Sequence, residues 1–286
     1  MIAWGLAPIG TRYLVLRIPP LPLITIRFLI AALLFLPLCI PLLRHLKASE
    51  WTRLLPAALL GVVGYYVPVT YGLQRVPAST AGIILATEPA WILLAARFLG
   101  HERVRRANWF GVAIAFIGVA LLVLTTSASG GKQEDLLGDA LLILAAILFA
   151  AYTIYVRRLS YEHGSLPATA ITMVVGTVPL LPLVVLINPA SVADAGPAAV
   201  IALLLLAIGS TVVGTLLWNY GVHAIGGGEA GPFMNGIPLV TVLGGYLLLA
   251  ERPSVATLVS GALIVGGIAG PQVMRRREAR DQSVRR

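Results

Sequence analysis

The feature that most constrains this chain is a succession of apolar runs, each about 20 residues long, broken by short polar or turn-prone connectors. A hydrocarbon layer roughly 30 Å thick takes about 20 residues of helix to cross. The runs lie at roughly 2–19, 22–43, 53–74, 78–98, 107–125, 136–156, 166–187, 198–223, 229–249 and 255–273. Connectors such as RIPPLP, RHLKASEWTR, HERVRRAN and TTSASGGKQEDLLGD are too short to fold as a soluble domain. Composition agrees: 58% of residues are hydrophobic and 12% charged, against about 45–50% and 25% in ordinary globular domains. A water-soluble fold is excluded. The expectation is an all-α integral membrane protein with ten transmembrane helices.

Charge then orients the chain. With the N-terminus in the cytoplasm, fifteen of the 21 basic residues fall on inward segments: Arg44, Lys47 and Arg53; Arg97, Arg103, Arg105 and Arg106; Arg157 and Arg158; and six in the tail. Arg17, Arg75, Lys132 and Arg252 are the four on outward loops. The positive-inside rule therefore predicts a multi-pass protein of the cytoplasmic (inner) membrane with both termini cytoplasmic. The net charge of +9 reads as topology, with the tail MRRREARDQSVRR as an anchor to anionic lipid rather than a nucleic-acid arm. The first run is the weakest, because Arg12 interrupts it early, and no signal peptide is expected before IAWGLAPIG. The single cysteine, Cys39, rules out an intramolecular disulfide.

The chain also repeats itself. Shifted by 149 residues, positions 54–120 align with 203–269 without a gap, and 17 of the 67 are identical. Tyr71-Gly72 falls on Tyr220-Gly221, Ala81-Gly82 on Ala230-Gly231, Pro89 on Pro238, Glu102-Arg103 on Glu251-Arg252 and Gly118 on Gly267. A shift of 145 places Arg12 on Arg157 and Pro22 on Pro167. Five spans per copy is an odd number, so the second copy enters the membrane from the opposite side. Such an inverted repeat offers two shapes of similar energy open to opposite faces, which is the architecture of alternating access. The expected organisation is a first five-helix repeat at 1–127, a linker at 128–135, a second repeat at 136–274 and a basic cytoplasmic tail at 275–286.

Several stretches resemble the EamA-type family of the drug/metabolite transporter superfamily. They are Trp4-Gly5, TIRFLIAALLFLP at 25–37, TEPAWILLAARFLGHERVRRANWFGVAIAFIGVALL at 87–122, and the second Pro238…Glu251 copy. The resemblance covers nearly the whole chain. It implies ten helices in two inverted five-helix repeats, a central cavity and, often, export of metabolites, amino acids or drugs. The family usually carries about a turn or two of helix before the WG, which is missing here.

Charge inside a bilayer costs roughly 2.5–3.5 kcal/mol on insertion scales, so each such residue needs a reason. Glu88 stands near the middle of ASTAGIILATEPAWILLAARFLG and is followed by Pro89, which removes a backbone donor and should kink the helix. A carboxylate facing a cavity there suits either carrying a coupling proton or binding a cationic amine. In the second copy Ile237 precedes Pro238, a second expected kink, so the cavity should be acidic on one side and neutral on the other. Asn235 suits either substrate binding or tying two helices together. Tyr66 and Tyr71, with Asn219 and Tyr220, lie on the third helix of each repeat at a depth suited to the cavity, although aromatics near a helix end also form interfacial belts. Arg12 is a candidate partner for Glu88 or for a substrate carboxylate. Arg27, about five residues into its span, is expected to snorkel to the interface. Glu102 and Glu251 read as loop-ordering residues.

No enzyme chemistry is expected. His45, His101, His163 and His223 are scattered, so no metal site is anticipated, and no cofactor is called for. A literal G-x-G-x-x-G at Gly226, Gly228 and Gly231 lies between two membrane helices rather than in a βαβ unit, and no P-loop is present. The sequence thus predicts a secondary transporter that exports a small polar or amphipathic metabolite, with protons as the coupling ion and no nucleic-acid partner. An uptake permease or a non-transporting membrane protein or enzyme is the alternative.

Overall fold

The computed structural model describes residues 2–44, 46–99, 106–128, 133–188, 192, 194–225, 230, 234 and 236–284, of which 42, 106–107, 126–128, 133–135 and 271–284 are described in backbone only. The described elements are helices, with no strand among them. In chain order they are α1 (Ile2–Val15), α2 (Pro20–Leu43), α3 (Ala48–Arg75), α4 (Ala78–Phe98), α5 (Arg106–Ala128), α6 (Gln133–His163), α7 (Ser165–Leu186), α8 (Pro197–Ile225), α9 (Gly236–Leu249) and α10 (Val255–Val284). Seven of them, α2 to α8, are long and apolar enough to cross a membrane; α9 and Val255–Gly270 of α10 are shorter apolar helices. Large apolar side chains such as Leu33, Phe110 and Val185 are exposed on the outside of the bundle, as they must be where lipid is the solvent.

Local chemistry sets the breaks. Val76 precedes Pro77 and is driven into an extended conformation, which ends α3 and lets α4 start at Ala78. Pro179 and Pro182 withhold backbone donors, and α7 finishes as a tighter 3₁₀ segment over Val178–Leu186. Helix α4 is interrupted at Ala86–Thr87, immediately before the Glu88-Pro89 pair. The Thr87 N–H bonds back only three residues, to the Ile84 carbonyl, and the Thr87 hydroxyl donates to the same carbonyl at 2.7 Å.

Two features recur at the positions the internal repeat relates. The third helix of each copy widens into a π-helical turn, at Leu60–Gly64 in α3 and Leu205–Gly214 in α8. Helices α5 and α10 pack so closely that a Cβ on Gly118 would lie 2.9 Å from the Ser260 carbonyl, and one on Gly267 would lie 2.6 Å from the Gly111 carbonyl. Gly118 and Gly267 are repeat partners, and so are Gly111 and Ser260. Neighbours exchange in the same sense: α6 packs on α3 and α4, while α1 packs on α8 and α9; α2 packs on α8, while α7 packs on α3.

Two helices run on past their apolar spans. Helix α6 continues through Arg157 and Arg158 to His163, and the basic tail, anticipated as a separate segment, extends α10 as helix through Val284. Hydropathy marks where a helix leaves lipid, not where its backbone hydrogen bonding stops.

Candidate functional site

A cavity of about 50 Å³ lies among α1, α2, α3, α4, α6, α8 and α9. Glu88 and Arg27 both line it, with Trp4, Thr11, Tyr65 and Tyr66. Glu88 is buried, and its Oε1 has no hydrogen-bond partner among the described residues. A buried oxygen without a partner is costly, so this one is poised to accept a proton or a ligand donor.

Arg27 corrects the expectation that it snorkels to the interface. It is buried at 4% exposure. Its Nε donates to Thr211 Oγ1 at 2.6 Å and an Nη donates to Ser210 Oγ at 3.3 Å, while the guanidinium lies 4.6 Å from the centre of the Tyr66 ring. The physical reason is the π-helical turn of α8, whose hydroxyls, with the Tyr66 ring, replace water around the charge. Thr211 in turn donates to the Leu206 carbonyl at 3.0 Å, five residues back, so the wide turn and the arginine site are one structure.

The other candidates fall in different places. Tyr66 lines the cavity, and Tyr65, which no sequence signal sets apart, lines it beside Tyr66. Tyr71 lies on α3 outside the cavity lining, close to Arg75, and Tyr220 is 61% exposed on the surface of α8, which removes it from the cavity wall. Asn219 is buried but does not line the cavity: its Nδ2 donates to Tyr152 Oη at 2.8 Å and Thr169 Oγ1 at 2.9 Å, tying α8 to α6 and α7. Arg12 is not among the residues that line the cavity, and it bonds through Nη1 to the carbonyls of Leu73 and Gln74, both at 2.7 Å, at the last turn of α3. Pro89 is buried at the break in α4, and Pro238 is buried in the first turn of α9. Asn235 lies outside the described residues, as do Glu102 and Gly226, Gly228 and Gly231 of the glycine motif.

Two further charge groupings hold helices together. Glu251 accepts the N–H groups of Ala78 and Ser79 at 2.7 and 2.8 Å, capping α4 from the α9–α10 connection. Glu50, Glu162 and His163 gather although the histidines look scattered in sequence. Arg53 pairs with Glu162 and His163 stands 2.7 Å from Glu50, so the grouping ties the start of α3 to the end of α6.

With this geometry in view, the sequence model of the EamA-like transporter family matches two stretches, residues 1–124 and 136–270. The chain belongs to the EamA-like transporter family. This EamA-like chain is 27% identical over 267 residues to an uncharacterized transporter of Archaeoglobus fulgidus, covering 93% of each. It is 30% identical over 238 residues to a Streptantibioticus cattleyicolor protein described as a probable terminal-alkyne amino-acid exporter, covering 82% of this chain and 76% of that one. A solved crystal structure superposes with a TM-score of 0.69 at 22% identity, over 96% of this chain and 95% of the other, which shows a shared fold. The EamA-like chain is therefore a multi-pass membrane transporter whose partners are the lipid bilayer and a small-molecule substrate.

Proposed function

We propose that the chain is a secondary active exporter of a zwitterionic, amino-acid-like metabolite, working by alternating access in the cytoplasmic membrane. The observation that carries this reading is that one buried cavity holds both a carboxylate, Glu88, and a guanidinium, Arg27. A substrate ammonium would take the unpartnered Glu88 Oε1, and a substrate carboxylate would take the Arg27 fork, whose planar donors match two oxygens. Either charge alone would be costly in lipid, whereas a zwitterion neutralises both. The exporter described in Streptantibioticus cattleyicolor lends support on the substrate class.

The volume fits an occluded state. About 50 Å³ holds one or a few waters, not a metabolite, so substrate enters only when helices move apart. The recurring π-helical turns, the exchanged helix neighbours and the paired close contacts of Gly118 and Gly267 support two inverted five-helix repeats, at 1–127 and 136–274, as the moving parts. Glu88 would also carry the coupling proton, releasing it when the ammonium arrives, so that proton and substrate alternate on one oxygen.

Flux of radiolabelled L-amino acids from proteoliposomes under an imposed pH gradient tests the reading. Transport of at least one amino acid is expected, lost in Glu88→Gln and in Arg27→Lys. Full gradient-driven flux in Glu88→Gln, with its pH dependence unchanged, would overturn it.

A further inference from the structure

A second chamber, of about 330 Å³ and walled partly by exposed apolar residues such as Leu217, lies beside the central cavity. Ala3 at the start of α1, and Gly214, Leu217, Trp218 and Gly221 in the last turns of α8, line it, so it faces the end of the bundle that carries the N-terminus. Trp218 is buried, and its indole N–H has no partner among the described residues. Among the described residues, Trp4 is the one that lines both cavities.

We propose that Trp4 is a movable partition between these chambers, closed in this structure, that opens to let substrate pass between the central cavity and the N-terminal face. The inference rests on the central cavity being the substrate site. The indole is latched by a single directional bond, Nε1 to the Ser210 carbonyl at 3.0 Å, and that carbonyl belongs to the π-helical turn of α8. Ser210 also offers its hydroxyl to Arg27, so the residue that latches the partition helps hold the guanidinium of the substrate site. A substrate carboxylate that draws Arg27 away from Ser210 therefore acts on the latch within one residue.

The surroundings permit movement. Gly214 lies directly under the indole, and a Cβ there would collide with the Trp4 ring. On its other sides Trp4 meets Phe149 edge-on at 5.8 Å and the tilted Trp218 ring at 5.6 Å, apolar ring contacts that can shift without breaking a hydrogen bond. Trp4 itself is half-buried, and the chamber beyond it has room for the displaced ring.

The test needs no substrate. In a Cys39→Ser background, Val69→Cys places a reporter in the central cavity wall. Its reaction with a membrane-impermeant cationic methanethiosulfonate is followed in vesicles of each orientation. Trp4→Ala is expected to raise the modification rate tenfold or more from the N-terminal face only, and Trp4→Phe, which keeps bulk but loses the latch, to raise it less. Gly214→Val, which pushes the indole aside without removing it, should act like Trp4→Ala. Unchanged rates in both Trp4→Ala and Gly214→Val, in protein that elutes as a single folded species, overturn the proposal. So does an equal rise from both faces, which is loss of packing rather than an opened partition. Because the readout is thiol chemistry, a failure of amino-acid flux leaves it intact, and the two readings fail separately.

Discussion

Asn219 and Arg27 changed roles once their neighbours were known, and the reason is the same for both. A polar residue within a membrane run has to find partners, and one sequence does not say whether those partners are substrate or protein. Asn219 spends its amide on Tyr152 and Thr169, so Asn219→Leu should cost about 0.6–1.7 kcal/mol per lost bond, read as a lower Tm in detergent, while KM for the transported substrate stays within twofold. A KM raised tenfold would return Asn219 to the substrate site. Glu251 gives a second prediction. Its Oε2 lies 2.8 Å from where a Cβ on Gly245 would sit, so Gly245→Ala should displace the carboxylate from Ala78 and Ser79. Losing that cap costs about 0.5–2 kcal/mol. Because both substitutions act on one contact, the double variant Gly245→Ala/Glu251→Ala should unfold no earlier than the worse single one in the same thermal scan, whereas additive losses would separate the two effects.

At the level of elements, most helices were legible because lipid demands long apolar runs, and the Glu88-Pro89 break was legible because proline withholds a donor. The π-helical turns were not, since nothing in LGVVG or LLAIGSTVVG distinguishes a wide turn from an ordinary one. Yet the turn in α8 is what turns Ser210 and Thr211 toward Arg27, so the cationic half of the proposed site was hidden with it. Close packing of α5 on α10 was likewise hidden, because glycines serve many purposes. Adjacent residues in α10 make this measurable. A methyl on Gly267 would press on the Gly111 carbonyl, whereas one on Gly266 would meet nothing within 4 Å. Gly267→Ala should therefore destabilise by about 1–3 kcal/mol. Gly266→Ala should be neutral or stabilise by roughly 0.5–1 kcal/mol, since alanine is the better helix former. Gly118→Ala, the repeat partner, should match Gly267→Ala in thermal unfolding; a loss confined to one of the pair would mean that the two copies pack differently.

For the whole molecule, 17 identities in 67 positions mark a repeat in the sequence, and the family model matches over 1–124 and 136–270. The direction in which the molecule sits depends on the basic residues. Arg44 and Lys47 lie between α2 and α3 with Arg53 near the start of α3, and Arg157 and Arg158 lie near the end of α6, whereas Arg252 lies between α9 and α10. If the positive-inside rule governs insertion, the first group is cytoplasmic and Arg252 is external. In intact cells carrying the Cys39→Ser chain, a cysteine at the exposed Arg252 position should react with an impermeant maleimide, and one at the exposed Ser49 position should react only after the membrane is opened. The reverse pattern would place both termini outside. It would also turn the chamber behind Trp4 to the external face, converting the partition from an entry gate for export into an exit gate, so this labelling fixes the direction in which the Glu88–Arg27 cavity has to be filled.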